Sequence, residues 1–180
     1  GNILVVGLSL ILTSILLTIG LRVSSNTSIA LGKHTVKGKN EFNPVDSILV
    51  GLMQCVAAIF PGLSRSGSTL SVGLMRGINK QTALDYSFVL GIPSILAAAL
   101  LEFKEAFENN SLNIEVLPVV VGMIVSAVVG FLAIKLFKWL LATDKMNIFV
   151  FYTLIMGVAT IIVYMIEKAN GVNLFTGIAI

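Results

Sequence analysis

Four stretches of this chain carry no charged side chain over lengths that suit a lipid bilayer. Residues 1–21 run uncharged to Arg22, and Tyr86 to Leu101 lies clear between Asp85 and Glu102. Val116 to Ile134 lies clear between Glu115 and Lys135, and Met146 to Ile166 between Lys145 and Glu167. A helix needs about 20 mostly apolar residues to cross a hydrocarbon core about 30 Å thick. Composition says what solvent these runs meet. Hydrophobic residues make up 56% of 180 positions and charged residues 12%, where a water-facing domain ordinarily carries about 25% charge. Lipid must therefore cover much of the surface. The expectation is an all-α polytopic membrane protein with four transmembrane helices, one integral-membrane domain over residues 1–180.

The first run does not read as a secretory signal, because no positive segment precedes it and no small-residue cleavage site ends it. The chain opens at Gly1 directly inside an apolar span, so the expectation is the C-terminal part of a longer protein. The single cysteine, Cys55, cannot form an internal disulfide, and no Cys/His spacing suggests zinc. A net charge of +3 in such a chain reports cytoplasmic loops rather than nucleic-acid binding.

Residues 44–78 break the pattern. An uncharged run from Ser47 to Ser64 is followed by Arg65 and a second run from Ser66 to Met75, with Pro61-Gly62 between the two. Proline removes a backbone donor and clashes with the preceding turn, so a helix entering from Val45 is expected to end near Phe60. A second helix restarting over Ser66 to Gly77 covers only about 18 Å, too short to cross. The segment is either one bent crossing or a re-entrant hairpin that returns to its side of entry. The cations decide between them. Arg22, Lys33, Lys37 and Lys39 stand before the segment, Arg76 and Lys80 after it, Lys104 after the next span, Lys135, Lys138 and Lys145 after the third, and Lys168 in the tail. A single crossing divides these six against five, whereas a re-entrant hairpin divides them nine against two. The second arrangement obeys the positive-inside rule, and a re-entrant hairpin over about 44–78 is expected.

Irregular backbone at membrane depth survives only where protein buries it or where it lines a wet cavity, and an arginine there marks a functional site. Gly62-Leu63-Ser64-Arg65-Ser66-Gly67-Ser68-Thr69 meets both conditions. The first turn of the returning helix offers unpaired N–H groups and the positive end of a helix dipole. Arg65 adds a planar fork suited to phosphate. Ser64, Ser66, Ser68 and Thr69 supply hydroxyls, one of which could act as a nucleophile, and Gly62 and Gly67 let backbone approach a ligand. The competing reading is close helix packing by small residues; Arg65 beside a Pro-Gly break favours a phosphate site. A nucleotide-binding P-loop is rejected, because Ser68 stands where the lysine is needed and no strand precedes it.

Gly51-Leu52-Met53-Gln54 followed by Ala57-Ala58-Ile59-Phe60-Pro61-Gly62-Leu63-Ser64-Arg65-Ser66-Gly67-Ser68-Thr69 resembles a signature of the undecaprenyl-diphosphate phosphatases, the bacitracin-resistance family. Ser87-Phe88 with Gly91-Ile92-Pro93 is similar to that family's next helix. The resemblance implies half of an inverted-repeat architecture, with a re-entrant hairpin in each repeat. It implies a bacterial plasma-membrane hydrolase, its site open to the outer face, that removes the terminal phosphate of undecaprenyl diphosphate. The product is the carrier lipid of peptidoglycan and cell-wall synthesis. It further implies that Arg65 binds the diphosphate, that Ser64 is a candidate nucleophile or phosphate donor, and that Thr69 is a polar site residue; Ser64, Arg65 and Thr69 are thus the catalytic candidates. Gly62, Ser66, Gly67 and Ser68 are the candidate phosphate-binding residues. The partners implied are a polyprenyl diphosphate lipid and membrane lipids, with a homodimer as a further option and no nucleic acid.

The family's other signature, a glutamate or glutamine followed four residues on by a glutamate with a histidine just downstream, is not found. Gln54 and Ala58 hold the analogous spacing, but Ala58 has no ligand atom. His34 sits among Lys33, Lys37 and Lys39 and reads as a solvated loop histidine. Asp85 reads as solvated or paired with Lys80, and Glu102 and Glu105 as outer-loop charges. A divalent metal, Mg or Ca, is expected from the family, with ligands outside these residues. Residues 1–180 are thus expected to carry the phosphate-gripping half of a site and to be inactive alone. The alternative function is an inverted-repeat lipid or anion transporter using Arg65 as its phosphate site.

Overall fold

The computed structural model describes residues 3–30, 38–108 and 116–170; His34, Lys33, Lys37 and Glu115 lie outside them. Six helices follow one another: α1 (Ile3–Ala30), α2 (Pro44–Ile59), α3 (Arg65–Met75), α4 (Lys80–Glu108), α5 (Val116–Ala142) and α6 (Asn147–Asn170). α1, α4, α5 and α6 are long and apolar enough to cross a membrane, and α2 is a shorter apolar helix. The described residues include no strand, only an isolated bridge between Lys39 and Ile78.

The long helices outrun the uncharged stretches because backbone hydrogen bonding continues past the first charge, provided the side chain finds water or a partner. α5 runs through Lys135 and Lys138 to Ala142. Lys138 reaches Asp85 of α4 at 2.8 Å, while Lys80 pairs with Asp144. Asp85 therefore has Lys138 as its ion-pair partner, not the Lys80 that sequence proximity suggests. α4 continues to Glu108, so Glu102 and Glu105 are exposed helical residues, not loop charges. Past Ala142 the chain turns at Asp144 (φ 54°), where the N–H of Lys145 returns to the carbonyl of Leu140 at 2.8 Å, a closing turn of the left-handed type.

α1 lies against both α6 and α3. At the α1–α6 crossing the backbones nearly touch: a Cβ on Gly157 would stand 3.0 Å from the carbonyl oxygen of Gly7. Without a hydrophobic force between helices in lipid, such close approach lets dispersion act. Ser14 adds a bond to the carbonyl of Val150 at 3.1 Å. The apolar core gathers Leu17, Leu70, Leu74, Leu84, Leu141 and Met146 where α1, α3, α4 and the α5–α6 turn meet.

The segment 39–78 closes on itself. α2 starts on Asn43 with Pro44 in its first turn, and the N–H of Asn43 donates to Asp46 at 3.4 Å, a sequence-readable helix start. α2 ends at Ile59 as the proline rule requires, and α3 ends before Gly77 (φ +75°). At the mouth, the N–H of Lys39 donates to Gly77 at 2.9 Å and that of Asn79 to Lys39 at 3.0 Å. Arg76 Nε donates to the buried Asp46 carboxylate at 2.6 Å, and that hydrogen bond holds the Asp46 carboxyl below its ordinary range.

Candidate functional site

The turn between α2 and α3 presses on α1. Gly62 has φ +88°, a conformation that L side chains avoid, and a Cβ there would stand 2.9 Å from Val6 Cα, Cγ1 and O. Two turns further along α1, Thr13 takes the N–H of Ser64 on its Oγ1 at 3.0 Å, while its own hydroxyl bonds the carbonyl of Ser9. Ser64 then caps α3, its Oγ accepting the N–H of Gly67 at 3.2 Å. Gly67 serves that cap, because a Cβ there would meet Ser64 Oγ at 2.9 Å. Thr69 donates to the carbonyls of Arg65 and Ser66 at 3.0 and 3.2 Å, so its hydroxyl stiffens the first turn.

With Ser64 N–H on Thr13, Gly67 N–H on Ser64 Oγ and Ser68 N–H on the Ser64 carbonyl, the amides of Arg65 and Ser66 are the uncommitted donors of that turn among the described residues. The guanidinium of Arg65 points to α4, where a Cβ on Gly91 would stand 3.0 Å from Nη2. Gly91 makes the room. Among the described residues the guanidinium has no hydrogen-bond or ion-pair partner. Arg65, Ser64 and Ser66 are half-buried. A half-buried, unpaired cation beside uncommitted backbone donors is a seat for an oxyanion.

The sequence-predicted residues divide accordingly. Arg65, Ser64 and Ser66 stand at the opening. Gly67, Ser68 and Thr69 are buried, and Ser68 Oγ has no partner among the described residues. Motif reasoning does not mark Thr13 or the steric role of Gly91, and it marks Gln54 only for its spacing to Ala58, not for the bond its Nε2 donates to Ser94 Oγ at 2.6 Å across to α4. Thr13 leaves a faint signal, a hydroxyl in an otherwise apolar run; the others depend on contacts between distant segments.

A divalent metal does not fit these residues. Hard cations need several oxygen ligands, usually carboxylates, and the described residues hold no group of three or more His, Cys, Asp or Glu that could bind one. An unpaired guanidinium occupies the place instead.

A family model described as "Bacitracin resistance protein BacA" matches residues 1–159. The chain is similar to the undecaprenyl-diphosphatase of Trichormus variabilis, 38% identical over 73% of this chain and 42% of that protein. It is similar to the undecaprenyl-diphosphatase of Prochlorococcus marinus, 42% identical over 76% of this chain and 44% of that protein. That of Halothermothrix orenii is 33% identical over 87% of this chain and 57% of its own length. The chain thus spans about half the length, or less, of these relatives. No solved structure matches.

Proposed function

The chain belongs to the bacitracin resistance protein BacA family, and from that premise we propose that it supplies the phosphate-binding hairpin of an undecaprenyl-diphosphate phosphatase of the bacterial plasma membrane. The observation that carries this reading is the unpaired Arg65 guanidinium at the first turn of α3, set among long apolar helices. A diphosphate on a polyprenyl tail has the matching chemistry: its tail dissolves in lipid while its head meets Arg65, the amides of Arg65 and Ser66, and the hydroxyl of Ser64. Ser64 Oγ already accepts from Gly67, which leaves its proton to give, so it serves as a phosphate donor. Gly62, Gly67, Ser68 and Thr69 shape the turn. In the reaction, water oxygen bonds to the terminal phosphorus. The bond to the bridging oxygen breaks with its electron pair, releasing lipid monophosphate, and the water proton leaves on the inorganic phosphate. Phosphoryl transfer of this kind depends on positioning and charge neutralisation, which the turn provides in part. The carrier alternative finds no relative among those named above.

The assay is phosphate release from undecaprenyl diphosphate by the full-length protein in detergent, where no sealed compartment exists. Multiple turnovers are expected, and none would sink the reading.

The hairpin is proposed to be re-entrant. The Lys39–Gly77 and Asn79–Lys39 bonds and the Arg76–Asp46 pair support entry and exit on one face. Single cysteines placed at Lys39 and Lys80 in a Cys55→Ala background are expected to react with an impermeant thiol reagent from the cytoplasmic side alone. Labelling from opposite sides rules the hairpin out.

A further inference from the structure

Gln54, on α2, brings a second polar group to the face of α4 that Arg65 meets. Its Nε2 donates to Ser94 Oγ at 2.6 Å and to the carbonyl of Leu90 at 3.4 Å. A carbonyl only accepts, so the atom facing Leu90 is the amide nitrogen, and the orientation of the carboxamide is thereby fixed. Both Nε2 hydrogens are committed. Oε1 is buried and has no donor among the described residues. A buried acceptor without a donor is costly, and a native fold retains one where something else supplies the donor.

Position says what that donor serves. Gly91 and Ser94 lie three residues apart on α4 and are neighbours on the helix surface. Arg65 Nη2 would touch a Cβ on Gly91 at 3.0 Å, while Gln54 is bonded to Ser94. The guanidinium and the carboxamide therefore reach α4 on consecutive turns. Pro93 sits inside α4 at this level. It gives no N–H to the preceding turn, and side chains from neighbouring helices commonly satisfy such irregular backbone. The carbonyl that Pro93 leaves without its helical donor is that of Val89; Gln54 bonds the next one, Leu90, which anchors the amide beside the break.

An amide oxygen cannot bind phosphate oxygens, which also accept. It binds a donor, and the reactant of a hydrolysis that brings donors is water. We propose that Gln54 Oε1 holds and orients the attacking water beside the phosphate bound at Arg65. This rests on the phosphatase reading above. Water gives one hydrogen to Oε1 and turns a lone pair toward the terminal phosphorus; the bonds made and broken are those of the hydrolysis already written. The amide is too weak a base to take the proton, so its work is orientation.

The test is Gln54→Met in the full-length protein, an apolar side chain of similar length, assayed with undecaprenyl diphosphate in detergent. Loss of orientation is expected to lower kcat by about 10- to 100-fold with KM and the thermal unfolding midpoint unchanged, a split that a packing role does not give. A kcat matching wild type overturns the proposal, as does a loss confined to KM or to the midpoint. If Gln54→Met fails to accumulate in membranes, Ser94→Ala removes one anchor of the amide from the other helix. It is expected to lower kcat by about tenfold at constant KM, and an unchanged kcat overturns the proposal. A wild-type protein that releases no phosphate instead removes the phosphatase reading itself, before either variant is compared.

Discussion

Arg65→Ala in the full-length protein is expected to reduce phosphate release by about 10³-fold or more while leaving the thermal unfolding midpoint where it was. The two halves of that expectation have one cause. Among the described residues the guanidinium has no ion-pair or hydrogen-bond partner, so truncating it breaks no bond that holds the fold. Its charge and its fork are left free for the phosphate we propose there. Removing a single pre-organised donor from a site where charge develops costs about 10²- to 10³-fold, and arginines that neutralise a transferring phosphoryl group are worth about 10³ to 10⁵. Arg65→Lys keeps the charge but presents a point donor in place of the planar fork, so its activity should fall between wild type and alanine. Activity of Arg65→Ala equal to wild type would reduce the arginine to packing against Gly91. The measurement is kcat/KM in detergent alongside a melting curve.

The fold was legible wherever one residue type decided the outcome locally. Charge-free runs mark α1, α4, α5 and α6 because hydrocarbon excludes ionised groups at its centre. Pro61 ends α2 at Ile59 because the ring cannot follow a helical residue without a clash. What stayed hidden depends on where distant segments land. Asp85 pairs with Lys138 and Lys80 with Asp144 because α4 and the α5–α6 turn meet at one end of the bundle, and sequence spacing carries no trace of that meeting. Thr13 reaches Ser64 across 51 positions and Gln54 reaches Ser94 across 40. Thr69 illustrates the opposite difficulty. Its place in the motif suggests a group offered to ligand, yet the hydroxyl is spent on the carbonyls of Arg65 and Ser66, a bond any helical threonine can make. The motif therefore locates the turn reliably, while the division of labour inside it is set by which hydroxyls the backbone has already claimed.

That division depends on how closely the turn approaches α1, and Gly62→Ala tests it. A Cβ at Gly62 meets two penalties together. At φ +88° an L residue is strained by about 1–2 kcal/mol. The added carbon would also stand 2.9 Å from Val6 Cα and O, and the backbone of a helix cannot swing aside as a side-chain tip does. The turn must lift away from α1, which draws Ser64 N–H off Thr13 Oγ1 and moves the first turn of α3 with Arg65 on it. A loss of about 3 kcal/mol is expected from strain and overpacking combined, seen as a lowered unfolding midpoint, with activity falling alongside it. Gly51→Ala provides the matched control. Gly51 is helical, and nothing stands within 4 Å of where its Cβ would be, so alanine there should gain the ordinary helix preference of about 0.5–1 kcal/mol. The same substitution, eleven positions apart on one hairpin, is thus expected to change stability in opposite directions. If both variants melt with wild type, the turn does not rest on α1 at Val6, and the cap that positions Arg65 is not held by Thr13.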